Sequence, residues 1–242
     1  MPLRYEAVLF DLDGTLIDTR DLILASFHHA LRRVLGRDLP DEVLLAGQGT
    51  TLIDQMRCFD GDRAEELTRV YTEFNLREHD ALAREFPGVQ ELLRDLYAIG
   101  VHLGVVTSKR REGALLGLRR FGIAPYLTAA VFMEDTREHK PSPAPVREAL
   151  RRLGCAPARA VMAGDSPYDV QSARSAGVEA VGVAWGSHPP ASLREAGATV
   201  VVHDLGELRN YLWKNVTGQG RRASEYGWLT ASPCRPATRR RC

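Results

Sequence analysis

The sequence predicts an α/β fold: a Rossmann-like, doubly wound parallel sheet with a small all-helical cap domain inserted into it. Three observations carry this. Short, uniformly apolar runs stop abruptly at polar residues or glycine; amphipathic segments of helix length separate them; and a long helical stretch follows the first run. A strand that is half exposed alternates apolar with polar, whereas a strand buried on both faces reads as continuous apolar sequence, as strands of a helix-covered parallel sheet do.

The first strand is Ala7-Val8-Leu9-Phe10, ending at Asp11. From residue 15 to 84 no strand-like run occurs. Instead Leu22, Ile23, Phe27, Ala30, Leu31 and Val34 form one helical stripe, and Leu67, Val70, Tyr71 and Phe74 another, opened by Asp62 and Glu65 as a capping-box-like pair. The polar loop Gly47-Gln48-Gly49-Thr50 joins two of the cap helices, and Gly14-Thr15 and Phe86-Pro87-Gly88 are read as hinges. Residues 90–99 form a helix that stops at Gly100, and residues 145–153 another that stops at Gly154, each with glycine just past the C-terminus. The remaining strands are Leu103-Gly104-Val105-Val106 before Thr107, Ala129-Ala130-Val131-Phe132, Ala160-Val161-Met162-Ala163 before Gly164-Asp165, and the runs 180–185 and 199–202. The expected division is therefore a core of residues 1–14 and 85–216, a cap of 15–84, and a basic tail, 217–242, that lacks apolar periodicity and is expected to be disordered.

The chain has 242 residues, 44% of them hydrophobic and 26% charged, enough to bury a sizeable core. Its net charge of +1 conceals an asymmetry: the tail carries six Arg against one Glu, leaving residues 1–216 with 26 basic and 30 acidic groups. A mildly acidic body argues against a nucleic-acid binder. No run approaches the roughly 20 apolar residues of a spanning helix, so the expectation is a soluble cytoplasmic protein with no membrane partner. Cys58, Cys155, Cys234 and Cys242 form no C-x-x-C pair and suggest neither disulfides nor a zinc site.

Chemistry concentrates at strand ends. Asp11 and Asp13, two apart on extended backbone, face the same way where open α/β sheets bind ligands; the alternative is a solvated Asp-Gly turn. Asp165 and Asp169 follow another buried strand, although Asp165 also suits an N-cap before Pro167. Four converging carboxylates repel unless a cation sits among them, and oxygen ligands imply Mg²⁺. Only three of the 32 basic residues are lysine, so Lys140 in Lys140-Pro141-Ser142-Pro143 marks a place for a compact ammonium, or else a surface turn. Thr107 offers a hydroxyl and an N–H to a phosphate oxygen.

Asp11-Leu12-Asp13-Gly14-Thr15, the strand-end Thr107, Lys140-Pro141 and Gly164-Asp165-Ser166-Pro167-Tyr168-Asp169, in this order around a helical insertion, resemble the haloacid-dehalogenase-like phosphohydrolases. The runs 10–19, Phe74-Asn75 with His79-Asp80, Lys140 to Val146, and Gly182-Val183-Ala184-Trp185 resemble, more narrowly, the PpaX-type pyrophosphatases and their neighbours the phosphoglycolate phosphatases. The resemblance implies a small phosphorylated substrate, Asp11 as nucleophile, Asp13 as acid and base, Thr107 and Ser108 on the phosphoryl oxygens, and Lys140 offsetting their charge. It further implies Mg²⁺ on Asp11, Asp165 and the Asp13 carbonyl, with Asp169 supporting the metal or Lys140. Gln48 and Thr50 are the cap residues expected to reach substrate, with Arg57 nearby, unless their loop is an ordinary interhelix turn. His28 and His29 read as packing or surface residues, and His79-Asp80 is too little for a second metal site. Pyrophosphate is the expected substrate and a monomer or homodimer the expected state. Phosphoglycolate hydrolysis, a phosphomutase and a receiver-like phospho-acceptor are alternatives; the second acid two residues after the nucleophile favours turnover over storage.

Overall fold

The computed structural model describes residues 5–216. The expected disorder of 217–242 lies outside the described residues, as do the first four residues. Six parallel strands form the main sheet: β1 (Ala7–Phe10), β4 (His102–Val106), β5 (Ala129–Val131), β6 (Ala160–Gly164), β7 (Glu179–Val183) and β8 (Val200–Val202), in the spatial order β5-β4-β1-β6-β7-β8. The two-residue periodicity sorts each strand between the faces. Val8, Phe10, Val105 and Ala163 pack with α5 (Val89–Ala98), α6 (Arg111–Arg120) and α10 (Leu205–Val216); Ala7, Leu9, Val106 and Met162 pack with α7 (Ala144–Leu153), α8 (Pro167–Ser175) and α9 (Pro190–Glu195). Because the chain runs from β1 to β4 on one side and later to β6 on the other, the switch in strand order falls at β1, at whose C-terminal end Asp11 lies.

The insertion has a hydrophobic cluster of its own. Ile23, Phe27, Ala30, Leu31 and Val34 of α1 (Arg20–Leu35) meet Leu67, Val70 and Tyr71 of α4 (Ala64–Leu82), with α2 (Asp41–Leu45) and α3 (Leu52–Phe59) closing the ends through Leu44, Leu45 and Met56. Phe27 is the keystone, meeting Phe59 and Tyr71 edge-on; burying such a ring contributes about 1.5–3 kcal/mol. Helix α1 ends as its sequence dictates: Gly36 turns left-handed at φ 65° and donates its N–H to the Arg32 carbonyl.

Three local expectations need correction. The stretch from 15 to 84 is not free of strand: Ile17–Asp18 (β2) pairs antiparallel with Arg84–Glu85 (β3), so the crossing between core and insertion is a two-residue ribbon. Trp185, just past β7 and not within it, ties both arms of this crossing, its indole N–H donating to the Thr15 carbonyl at 3.2 Å and its ring meeting Phe86 edge-on. Helix α4 is not capped by Asp62 and Glu65. Its N-cap position is Arg63, with no side-chain cap, and the Asp60 carboxylate of the preceding turn accepts the Arg63 N–H at 3.0 Å. No helix among the described residues is long and apolar enough to cross a membrane.

Candidate active site

The loop after β1 is wound tightly. The Leu12 carbonyl accepts N–H bonds from Thr15, Leu16 and Ile17, and Gly14 donates to the Ile17 carbonyl. This winding puts Gly14 at φ +82° against Asp165, where a Cβ would lie 2.4 Å from its Oδ2; glycine is required twice over. Asp11 is thereby buried at the base, and the Asp13 carboxylate, turned aside, accepts from the Thr19 hydroxyl and from Lys109 Nζ, both at 2.8 Å on Oδ1.

Lys140 comes in from below. Its side chain is 1% exposed and its ammonium donates to Asp11 Oδ1 at 2.7 Å and Asp169 Oδ1 at 2.5 Å. Asp169 is the third residue of α8, and its other oxygen accepts from the Ser166 N–H and hydroxyl. Ser166, not Asp165, is the N-cap of that helix, so Asp165 is released from the capping role and its carboxylate faces Asp11. Gly164 and Gly186 make the room: a Cβ on the first would fall 2.4 Å from Asp169, and on the second 2.3 Å from Asp165. The Ser187 N–H donates to Asp165 Oδ2 at 2.8 Å.

Carboxylate oxygens of Asp11, Asp165 and Asp169 lie within 4.8 Å of one another, all buried. Burial pushes the Asp11 carboxyl well above the ordinary range; Lys140 opposes this, while Asp169 and Asp165 add to it. Burial and then Asp169 push Asp165 up to about 7, against the pull of the Ser187 N–H. Burial alone would lower Lys140, but Asp11 and Asp169 raise it, so it stays an ammonium. One cation cannot neutralise three acids, and the unbalanced pair, Asp11 and Asp165, offers only oxygen. Such a donor set fits a hard divalent cation. Asp169 is already saturated by Lys140 and Ser166, and the Asp13 carboxylate is outside the cluster.

Thr107, just past β4, is buried, its hydroxyl accepting the Lys109 N–H at 3.1 Å. The adjacent Ser108 hydroxyl donates across to the Gly49 carbonyl at 2.7 Å, joining core and insertion. Gly49, at φ +103°, approaches so closely that a Cβ would meet Ser166 Oγ at 2.6 Å. Beneath this contact lies a cavity of about 590 Å³ lined at its base by Asp11, Asp13, Thr107 and Asp165, and by Gln48 and Thr50 on the insertion side. Gln48 is buried with its Oε1 unpartnered, whereas the Thr50 hydroxyl donates to the Gly47 carbonyl. Arg57 is not at the cavity; it pairs with Asp54 on the surface, and Arg69 and Arg110 line the wall in its place. His28 pairs with Asp38 and Asp41 and His29 stacks on Phe74, both away from the acids. Lys109, Thr19 and Gly186 are the site residues that sequence reasoning missed. For Lys109 the signal was at hand, since lysine is as scarce at 109 as at 140.

The chain is similar to known proteins over most of its length. Residues 8–183 match the model of the family described as haloacid dehalogenase-like hydrolase. Pyrophosphatase PpaX of Bacillus velezensis is 40% identical over 182 residues, covering 75% of this chain and 84% of that protein. Pyrophosphatase PpaX of Oceanobacillus iheyensis is 33% identical over 206 residues, covering 85% and 96%. Among solved structures, a haloacid dehalogenase-like family hydrolase of Streptococcus pneumoniae superposes with a TM-score of 0.77 at 25% identity, covering 86% of this chain and 98% of that one. The chain belongs to the haloacid dehalogenase-like hydrolase family and is a phosphohydrolase.

Proposed function

We propose that the protein is a Mg²⁺-dependent pyrophosphatase that works through a phosphorylated Asp11. The observation that carries the mechanism is the buried arrangement in which Lys140 holds Asp11 from below while Asp11 and Asp165 face one another with excess negative charge. Asp11 attacks a terminal phosphorus of pyrophosphate, and the bond from that phosphorus to the bridging oxygen breaks. Asp13 gives its proton to the departing phosphate, then takes one from a water that attacks the aspartyl phosphate, freeing the second phosphate and restoring Asp11. Thr107 and Ser108 hold the phosphoryl oxygens, and Lys140 offsets the charge gathered on Asp11. Asp11, Asp165 and the Asp13 carbonyl would hold Mg²⁺, which supplies charge neutralisation of the transferring phosphoryl group. Residues 15–84 act as a cap over the core formed by 1–14 and 85–216, with Gln48 and Thr50 presented to the substrate by the Gly47 to Thr50 loop.

The choice of pyrophosphate rests on the names of the relatives and on the polar base of the cavity. One observation favours phosphoglycolate as a second reading: Ile23, Phe27, Leu52 and Leu76 give the cavity apolar wall that a small inorganic anion does not use. Steady-state phosphate release with Mg²⁺ decides between them. A higher kcat/KM for pyrophosphate is expected, and a clear preference for phosphoglycolate would overturn the substrate while leaving the mechanism in place.

A further inference from the structure

Lys109 carries a half-buried charge at the cavity that the phosphoryl-binding scheme leaves unused. It stands between β4 and α6, and its position is built. Its backbone N–H is taken by the Thr107 hydroxyl, its carbonyl accepts the Met133 N–H at 3.1 Å, and its stem lies over Gly113, where a Cβ would come within 3.2 Å of Cε. The ammonium ends 2.8 Å from Asp13 Oδ1, with the side chain 15% exposed. The other cations lining the cavity are committed elsewhere: Arg69 pairs with Glu73 and Arg110 with Glu134, each largely exposed. Lys140 lies under Asp11 and does not line the cavity.

We propose that Lys109 is the residue that selects an anionic leaving group, its ammonium pairing with the negative charge carried beside the bond that breaks. The proposal rests on the reading of Asp13 as the proton donor. If Asp13 protonates the bridging oxygen, that oxygen sits within hydrogen-bond reach of its carboxylate, and an ammonium 2.8 Å from the same carboxylate reaches a charge one or two bonds further out. The second phosphate of pyrophosphate and the carboxylate of phosphoglycolate both meet this description; an uncharged alcohol does not. Charge on the leaving half grows as the bond breaks, so the contact strengthens in the transition state and acts on kcat as well as KM. A Lys109 that only steadied Asp13 would serve every leaving group equally.

The test compares pyrophosphate with phenyl phosphate, whose leaving group bears no charge of its own, in the wild type, Lys109→Met and Lys109→Arg. The ratio of the two kcat/KM values is expected to fall by about 30-fold or more in Lys109→Met, the scale of one lost charge-assisted hydrogen bond. It should stay within about 5-fold in Lys109→Arg, which keeps the charge and reports that the chain folds. A readout free of turnover is binding of methylenediphosphonate against methylphosphonate in the presence of Mg²⁺, where the preference for the former should be lost in Lys109→Met. An equal loss on both substrates, or an unchanged ratio, overturns the proposal. Wild-type preference for phosphoglycolate over pyrophosphate would overturn only the substrate proposed above, since both leaving groups are anionic, whereas wild-type preference for phenyl phosphate over both would overturn the role of Lys109.

Discussion

Replacing Lys140 with Met tests the electrostatic account of the site most directly. The thioether fills the space of the stem and removes the charge, leaving Asp11 and Asp169 without their shared donor in a pocket where the lysine was 1% exposed. Removing one partner of a buried ion pair costs about 3–5 kcal/mol, which for a chain of this size is a fall in Tm of about 6–20 °C. The cost depends on pH with a definite sign. Lys140 is the chief influence holding the Asp11 carboxyl down against burial, so its loss raises that carboxyl further, and the variant escapes part of the penalty by keeping the proton. The destabilisation relative to wild type should therefore be smaller in acid, where Asp11 holds its proton, and grow as the pH is raised. Thermal denaturation of both proteins at a lower and a higher pH measures it. Turnover should fall about 100-fold or more, as when a charge-stabilising donor is removed from an active site, and Lys140→Arg should fare little better, because a planar fork cannot occupy the point between Asp11 and Asp169. A Lys140→Met protein as stable as wild type at the higher pH, or a fully active Lys140→Arg, would refute the reasoning.

Asp11→Asn should abolish phosphate release, since the amide is no nucleophile, while keeping the fold and relieving charge crowding; residual release near the wild-type rate would remove the covalent mechanism. Without metal, the wild type should lose stability as pH rises through about 7, because Asp165 keeps a proton in the folded state that the unfolded carboxyl has already released. Asp165→Asn should flatten this dependence, and Mg²⁺ should raise the wild-type Tm more at about pH 8 than at about pH 5.5, where protons compete for the same oxygens. An equal Mg²⁺ shift at both pH values would place the cation elsewhere. Gly186→Ala should weaken Mg²⁺ affinity about 10-fold or more, because the new methyl would overlap Asp165 at 2.3 Å and push its carboxylate aside. Calorimetric titration checks it, and unchanged affinity would show that the Asp165 position is tolerant.

The sheet was legible because it is buried on both faces. Its strands read as uninterrupted apolar runs, and all six fall where those runs were found, trimmed by a residue or two at ends such as Phe132 and Trp185, where the ladder stops before the hydrophobicity does. The β2 and β3 ribbon had no such signal. Two residues cannot establish a period, and Arg84 and Glu85 are exposed, so nothing in their chemistry distinguishes pairing from a turn. The missing cap of α4 was hidden for a related reason: Asp62 and Glu65 suit a helix start, and only the path of the turn, which puts Arg63 at the N-cap position, shows that neither caps it.

The acids were legible for a different reason, and the same reason explains what was missed. Asp11 and Asp13, like Asp165 and Asp169, stand within a few residues of each other just past buried strands, which is what marks them in the sequence, but the tight turn after β1 carries the Asp13 carboxylate out of the expected four-acid convergence and leaves three. Lys109 and Asp13 are 96 residues apart, and Ser108 meets Gly49 across 59; contacts over such separations leave no local pattern. Lys109 was hidden further by Arg110 and Arg111, which make it look like one more solvated charge. Scarcity cuts through that disguise. In a chain that uses arginine for 29 of its 32 basic positions, the two lysines at strand-end loops both have ammoniums hydrogen-bonded to carboxylates of the candidate site. At Lys140 the compact ammonium fits between the close carboxylates of Asp11 and Asp169, where a guanidinium would force them apart, so there the choice of lysine in an arginine-rich protein is a record of crowding.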